Sequence, residues 1–75
     1  MSTPAIDSPE VIERARANMA KQVAKIDQLY TAYVAEMRAQ GYAEALMIER
    51  LISQEVFLQL AEEMEQAVRA KRAEA

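Results

Sequence analysis

From Ile12 to Met37 the residues Ile12, Ala15, Met19, Val23, Ile26, Tyr30, Tyr33 and Met37 recur at every third or fourth position. At about 100° per residue, such spacing holds them on one side of an α-helix. Val11, Leu29 and Val34 widen the stripe. A second helical pattern follows from position 43 onward, with Leu46, Phe57, Leu60, Ala61, Met64 and Val68 on a common side. Met47, Ile48, Leu51, Ile52 and Leu58 fall elsewhere on that second cylinder, centred well over 100° from the first set.

The punctuation is sparse. In the stretch "SPEV", Ser8 suits an N-cap, Pro9 the first helical position, and Glu10 the positive end of the helix dipole. Gly41 is the only glycine, and a left-handed helix C-cap costs least at glycine. Arg69, Lys71 and Arg72 suit the negative end of a second helix. These signals predict a loose arm over 1–7, a first helix over about 9–40, a turn at Gly41 and a second helix over about 43–72. Helices so long, joined by so short a turn, pack antiparallel. Mirroring about Gly41 sets Met37 against Leu46, Ile26 against Phe57, Val23 against Leu60, Met19 against Met64 and Ala15 against Val68.

One rival to this all-α hairpin is a break at Ser53, a good N-cap with Glu55 in the following first turn. No glycine or proline lies beside Ser53, so the continuous helix is the expected form. Its second apolar patch then faces outward, and monomers seldom leave such a patch in water. The expected outcome is a homodimer, a four-helix bundle centred on Met47, Ile48, Leu51, Ile52 and Leu58. Ala17, Ala24, Ala32, Ala35 and Ala39, on the back of the first helix, permit close approach of another helix.

Length sharpens that expectation. A chain of 75 residues hides only about 60% of its unfolded surface, so an isolated monomer is marginal. Cysteine and histidine are both absent. Disulfides and thiolate metal sites are thereby excluded, and the commonest acid–base group is missing. The carboxylates of "EEMEQ" have no histidine to complete a helical di-metal motif, so neither metal nor cofactor is expected. Net charge is −3. The pI is about 4.9, which disfavours binding of the whole chain to phosphate or anionic lipid. No apolar run reaches membrane-span length and no signal peptide is evident, so a cytoplasmic location without membrane attachment is expected.

Two constellations carry candidate chemistry. The mirrored register brings Arg50 and Ser53 beside Tyr33 and Tyr30, a polar layer in which arginine lies over a phenol ring. It reads first as a device fixing register, since it holds no nucleophile–base pair. Arg14, Lys21 and Lys25 share one side of the first helix. They form either a solvated face beside Glu62, Glu63 and Glu65 or a phosphate-contacting stripe.

The segment "SQEVF" is similar to the Ser-Gln-x-Leu-Asp pattern of small helical-hairpin phosphatases. It matches at Ser53 and Gln54 and departs at Val56 and Phe57, where that family carries its leucine and its functional aspartate. The outline also resembles Rop-like RNA-binding dimers. The expectation is a non-enzymatic interaction protein: a regulator, inhibitor or adaptor that binds another protein through its outer helix face. The alternatives are a secretion-type chaperone or assembly subunit stable only with its client, and a nucleic-acid-binding dimer.

Overall fold

The computed structural model describes residues 6–74, and within them the chain is all-helical. Three helices are present: α1 (Pro9–Ala24), α2 (Ala32–Ile48) and α3 (Gln54–Ala73). The expected hairpin is therefore replaced by a bundle with two reversals. Each helix packs on both others. α2 runs antiparallel to its neighbours and α1 lies parallel to α3. Residues 1–5 of the expected arm lie outside the described residues. Asp7 of that arm is pinned, its N–H donating to the Leu51 carbonyl at 3.0 Å. Its carboxylate accepts from the Ser53 N–H at 2.7 Å.

The breaks fall where glycine is absent. α1 stops at Ala24, with Lys25 as C-cap, and the link 25–31 follows. In this link the Lys25 carbonyl accepts from the N–H groups of Gln28, Leu29 and Tyr30, while Asp27 donates to the Tyr30 carbonyl. Asp27 takes φ of 68°, a left-handed conformation that a short polar side chain tolerates. Thr31 then caps α2, its Oγ1 accepting from the Val34 N–H at 3.2 Å. The run expected to continue from about 9 to 40 is thus interrupted by backbone bonds that no proline or glycine announces.

The second break lies beside Ser53, not at Gly41, and it answers where the two apolar faces of the second pattern go. α2 ends in a Schellman arrangement: the Leu51 N–H donates to the Leu46 carbonyl at 2.9 Å and the Arg50 N–H to the Met47 carbonyl at 3.0 Å. Arg50 occupies the left-handed position usually given to glycine, with φ of 62°. Ser53 caps α3 by accepting from the Val56 N–H at 3.2 Å. Gly41 sits inside α2, and a Cβ added to it would meet nothing within 4 Å. It is an outward-facing helical residue, and the turn expected there does not exist.

The core runs the length of the bundle. Ala15 and Met19 come from α1, Ala35, Ala39 and Ala43 from α2, and Leu60, Met64 and Val68 from α3. Ile26 and Ile52, one in each link, are 2% and 1% exposed and close the two ends. Met19 and Met64 line one cavity together, but α1 and α3 run parallel, so this meeting does not come from the mirrored register. The pair Ile26 and Phe57 is separated, because two reversals carry them to opposite ends. Tyr33 and Met37, expected inside, are exposed.

The caps make a two-signed prediction for urea unfolding. Ser53→Ala removes the α3 cap and lowers stability by about 1 kcal/mol. Arg50→Gly relieves the left-handed strain and raises stability by up to about 1 kcal/mol.

Candidate functional site

The expected outer patch is divided by the break. Ile52 is a core residue. Met47 packs partly buried against the core, and Leu51 is half-buried in the link. Ile48 and Leu58 remain exposed, on different helices. The five residues do not form one surface, because the chain turns between Ile48 and Gln54 and draws Ile52 inward.

A different apolar face takes its place. The inner side of α2 carries Ala35, Ala39 and Ala43, with Ala35 fully buried. Opposite them, at helical spacing, lie Val34, Met37, Gly41, Ala45 and Ile48, all exposed. Tyr33 flanks this row at 71% exposure, and Glu44 borders it on one edge and Arg38 on the other. α2 therefore turns a run of alanines inward, with Leu46 and Met47 partly buried at its C-terminal end, and leaves Val34, Met37 and Ile48 outside. Residue size alone concealed this, since a large apolar residue reads as core. The signal is the four-residue repeat of alanines at 35, 39 and 43, of which the sequence reading takes Ala35 and Ala39 as permitting close approach, on the back of the first helix, and does not include Ala43. Of the other alanines in that group, Ala32 is half-buried while Ala17 and Ala24 are exposed.

The expected polar layer is not assembled. Tyr30 and Tyr33 lie at the α1–α2 end, whereas Arg50 and Ser53 lie in the link at the other end of α2. Tyr30 instead meets two cations. Lys25 Nζ lies 5.7 Å and the Arg38 guanidinium 4.9 Å from its ring centroid. Arg38 Nε donates to Gln22 Oε1 at 3.3 Å, and Gln22 is itself 7% exposed. One turn earlier on α1, Asn18 Oδ1 is buried without a hydrogen-bond partner among the described residues.

Charge is divided between the flanks of α1. Arg16 faces α3 and pairs with Glu63 through two hydrogen bonds, 3.0 and 3.1 Å long. Arg14, Lys21 and Lys25 lie roughly 160° around the helix from Arg16, toward α2. They do not reach Glu62, Glu63 or Glu65, because α3 lies along the opposite flank. The Arg16 hydrogen bond holds the Glu63 carboxyl below its usual range, helped by the guanidinium charge and by Gln59. Arg69–Glu65 and Lys71–Glu74 are local pairs within α3 and its C-terminal end.

No group of acidic side chains among the described residues is placed to hold a metal ion. No helix among them is long and apolar enough to cross a membrane. A cavity of about 10 Å³ lies in the core among Ala15, Ala39, Leu60 and Met64, barely the space one water needs. No protein-family model, curated protein or solved structure matches the chain.

Two outcomes follow. Ile52→Ala lowers stability by about 2–5 kcal/mol, while Leu58→Ala stays within about 0.5 kcal/mol, as judged by urea unfolding. Glu63 has a lowered folded-state pKa, so its contribution is present above the unfolded value and is lost as pH falls through the folded one. The urea midpoint of the protein therefore exceeds that of Glu63→Gln at neutral pH. The gap narrows as the solution is acidified through the carboxylate range.

Proposed function

We propose that this chain is a protein-binding helical module, a regulator or adaptor, that self-associates through the outer face of α2. The observation that carries the reading is the row Val34, Met37, Gly41, Ala45 and Ile48, exposed along one side of a helix whose other side is already packed. α2 carries Glu36, Arg38, Gln40 and Glu44 on its flanks, yet the side facing away from the core is an unbroken apolar row. Isolated exposed apolar residues need no explanation, but a contiguous row marks a contact.

The partner is a second copy, because the row is complementary to itself when reversed. A two-fold axis beside Gly41 sets glycine against glycine, where the bare backbone admits close approach. It brings Met37 level with Ala45 of the second copy and Val34 level with Ile48 of the second copy. Large side chains thereby meet small ones at the two outer steps of an antiparallel helix pair. This differs from the contact expected from the sequence, which centred on residues that the break at 49–53 disperses.

Sedimentation equilibrium tests the proposal. The native chain sediments as a dimer at micromolar concentration, and Met37→Glu sediments as a monomer with unchanged helical circular dichroism, since Met37 makes no core contact to lose. A native chain that stays monomeric through the same range overturns the self-association.

A further inference from the structure

The chain bends at 49–53 without glycine or proline, and Arg50 takes a left-handed φ of 62° there. Part of what holds the bend is supplied from outside it. Asp7 donates its N–H to the Leu51 carbonyl at 3.0 Å, and its carboxylate accepts from the Ser53 N–H at 2.7 Å. An uninterrupted helix needs both of those backbone groups for itself. In it the Ser53 N–H donates to the Glu49 carbonyl, and the Leu51 carbonyl accepts from the Glu55 N–H. A straight α2–α3 and a bonded Asp7 therefore exclude one another.

The straight form has its packing face already in register. Leu60, Met64 and Val68 follow the buried alanines Ala35, Ala39 and Ala43, one for one, by about seven helical turns. The mismatch is about 20°, so in one helix over 32–73 the inner faces of α2 and α3 fall on the same side. Straightening carries α3 away from its own α1 and α2 and uncovers them. The α3 of a second copy fits the space left, because it is the same helix entering in the same direction. Two straight helices, antiparallel and face to face, then pack each α2 against the other copy's α3, while each α1 stays on its own α2. The helix-to-helix contacts of the core are all recovered between chains.

We propose that this chain has a second fold, an exchanged dimer in which α2 and α3 run on as one helix and each α3 packs on the other copy, and that Asp7 is the latch that keeps the chain out of it. Two features hold the closed bundle: the paired bonds of Asp7 and the burial of Ile52 in the bend. Against them stands the left-handed backbone at Arg50, which straightening relieves, in a link of good helix formers. The exchange uses the inner faces of the helices, so it does not depend on association through the outer row of α2.

The test is made on full chains carrying Met37→Glu, which removes association through the outer row and is silent if that association does not exist. Each is unfolded in urea, refolded at concentrations from micromolar to millimolar and analysed by sedimentation. Asp7→Ala raises the association constant by about tenfold or more, because it deletes the carboxylate and disfavours the φ of 61° at position 7. Asp7→Asn stays within about threefold of its parent, since its side-chain oxygen accepts the same bond and asparagine tolerates that φ. Arg50→Gly added to Asp7→Ala lowers the constant by about tenfold or more, because glycine suits the bend and weakens a continuous helix. Nitroxides on Glu44→Cys and Gln66→Cys, both exposed positions, report the distance within a chain when labelled protein is diluted in unlabelled. In the Asp7→Ala dimer that distance lengthens to about 33 Å, at about 1.5 Å per residue. An Asp7→Ala chain that stays monomeric throughout, that loses helical circular dichroism, or that dimerises with the distance of its parent overturns the proposal.

Discussion

The bundle depends on how closely α1 and α3 approach the backbone of α2. Ala35, Ala39 and Ala43 present only methyl groups to the interior, so the bulk of the core must come from the neighbouring helices. Met19, Leu60, Met64 and Val68 supply it, reaching across a seam where α2 offers little side-chain volume. Close packing leaves the lining in contact nearly everywhere, and the remaining hollow of about 10 Å³ is too small to weaken it much. Larger residues on the inner side of α2 would push three helices apart at once. Beside this alanine seam Val34, Met37 and Ile48 are left on the outer side, and only Leu46 and Met47, near the C-terminal end of α2, add larger side chains to the core.

Closure of the ends follows from the same economy of volume. A core of methionines and alanines is open at top and bottom unless the links turn side chains back over it. Ile26 and Ile52 do this from within the two reversals. The left-handed backbone at Asp27 and Arg50 is the local cost of aiming them inward, roughly 1–2 kcal/mol for a residue with a Cβ. Burial of each isoleucine contributes about 1.5–3 kcal/mol, enough to offset it. The Asp7 carboxylate, bonded to the Ser53 N–H, fastens the start of α1 to the lower reversal. Tertiary packing, and not turn chemistry, decides where this chain bends.

That balance explains what the sequence disclosed and what it hid. Helical class, the start of the first helix at Pro9 and the core positions Ala15, Met19, Ile26, Leu60, Met64 and Val68 were all legible from spacing and propensity. The number of helices was not. Gly41 carried the sole conventional stop signal and was followed, yet it lies mid-helix because its outward position imposes no need for a side chain. Asp27 and Arg50 carry no recognisable stop, since their conformations are enforced by the burial of the residues beside them. Ser53 did carry its cap signal, and the lack of a nearby glycine or proline outweighed it wrongly. Once one reversal is read where there are two, α1 and α3 become antiparallel on paper, and Arg14, Lys21 and Lys25 are assigned acidic neighbours they do not have.

The parallel setting of α1 and α3 has an electrostatic consequence. It directs Arg16 to Glu63 and commits the α3-facing flank of α1 to a pair already satisfied. The remaining cations of α1 are turned away from α3, and on α2 Arg38 bonds Gln22 one turn from Val34, at the edge of the outer apolar row. α2 thus meets a packed interior on one side and presents an apolar row on the other, with Glu44 and Arg38 along the two edges of that row. A change on the outer row does not require the core to rearrange, because that row and Ala35, Ala39 and Ala43 lie on opposite sides of α2.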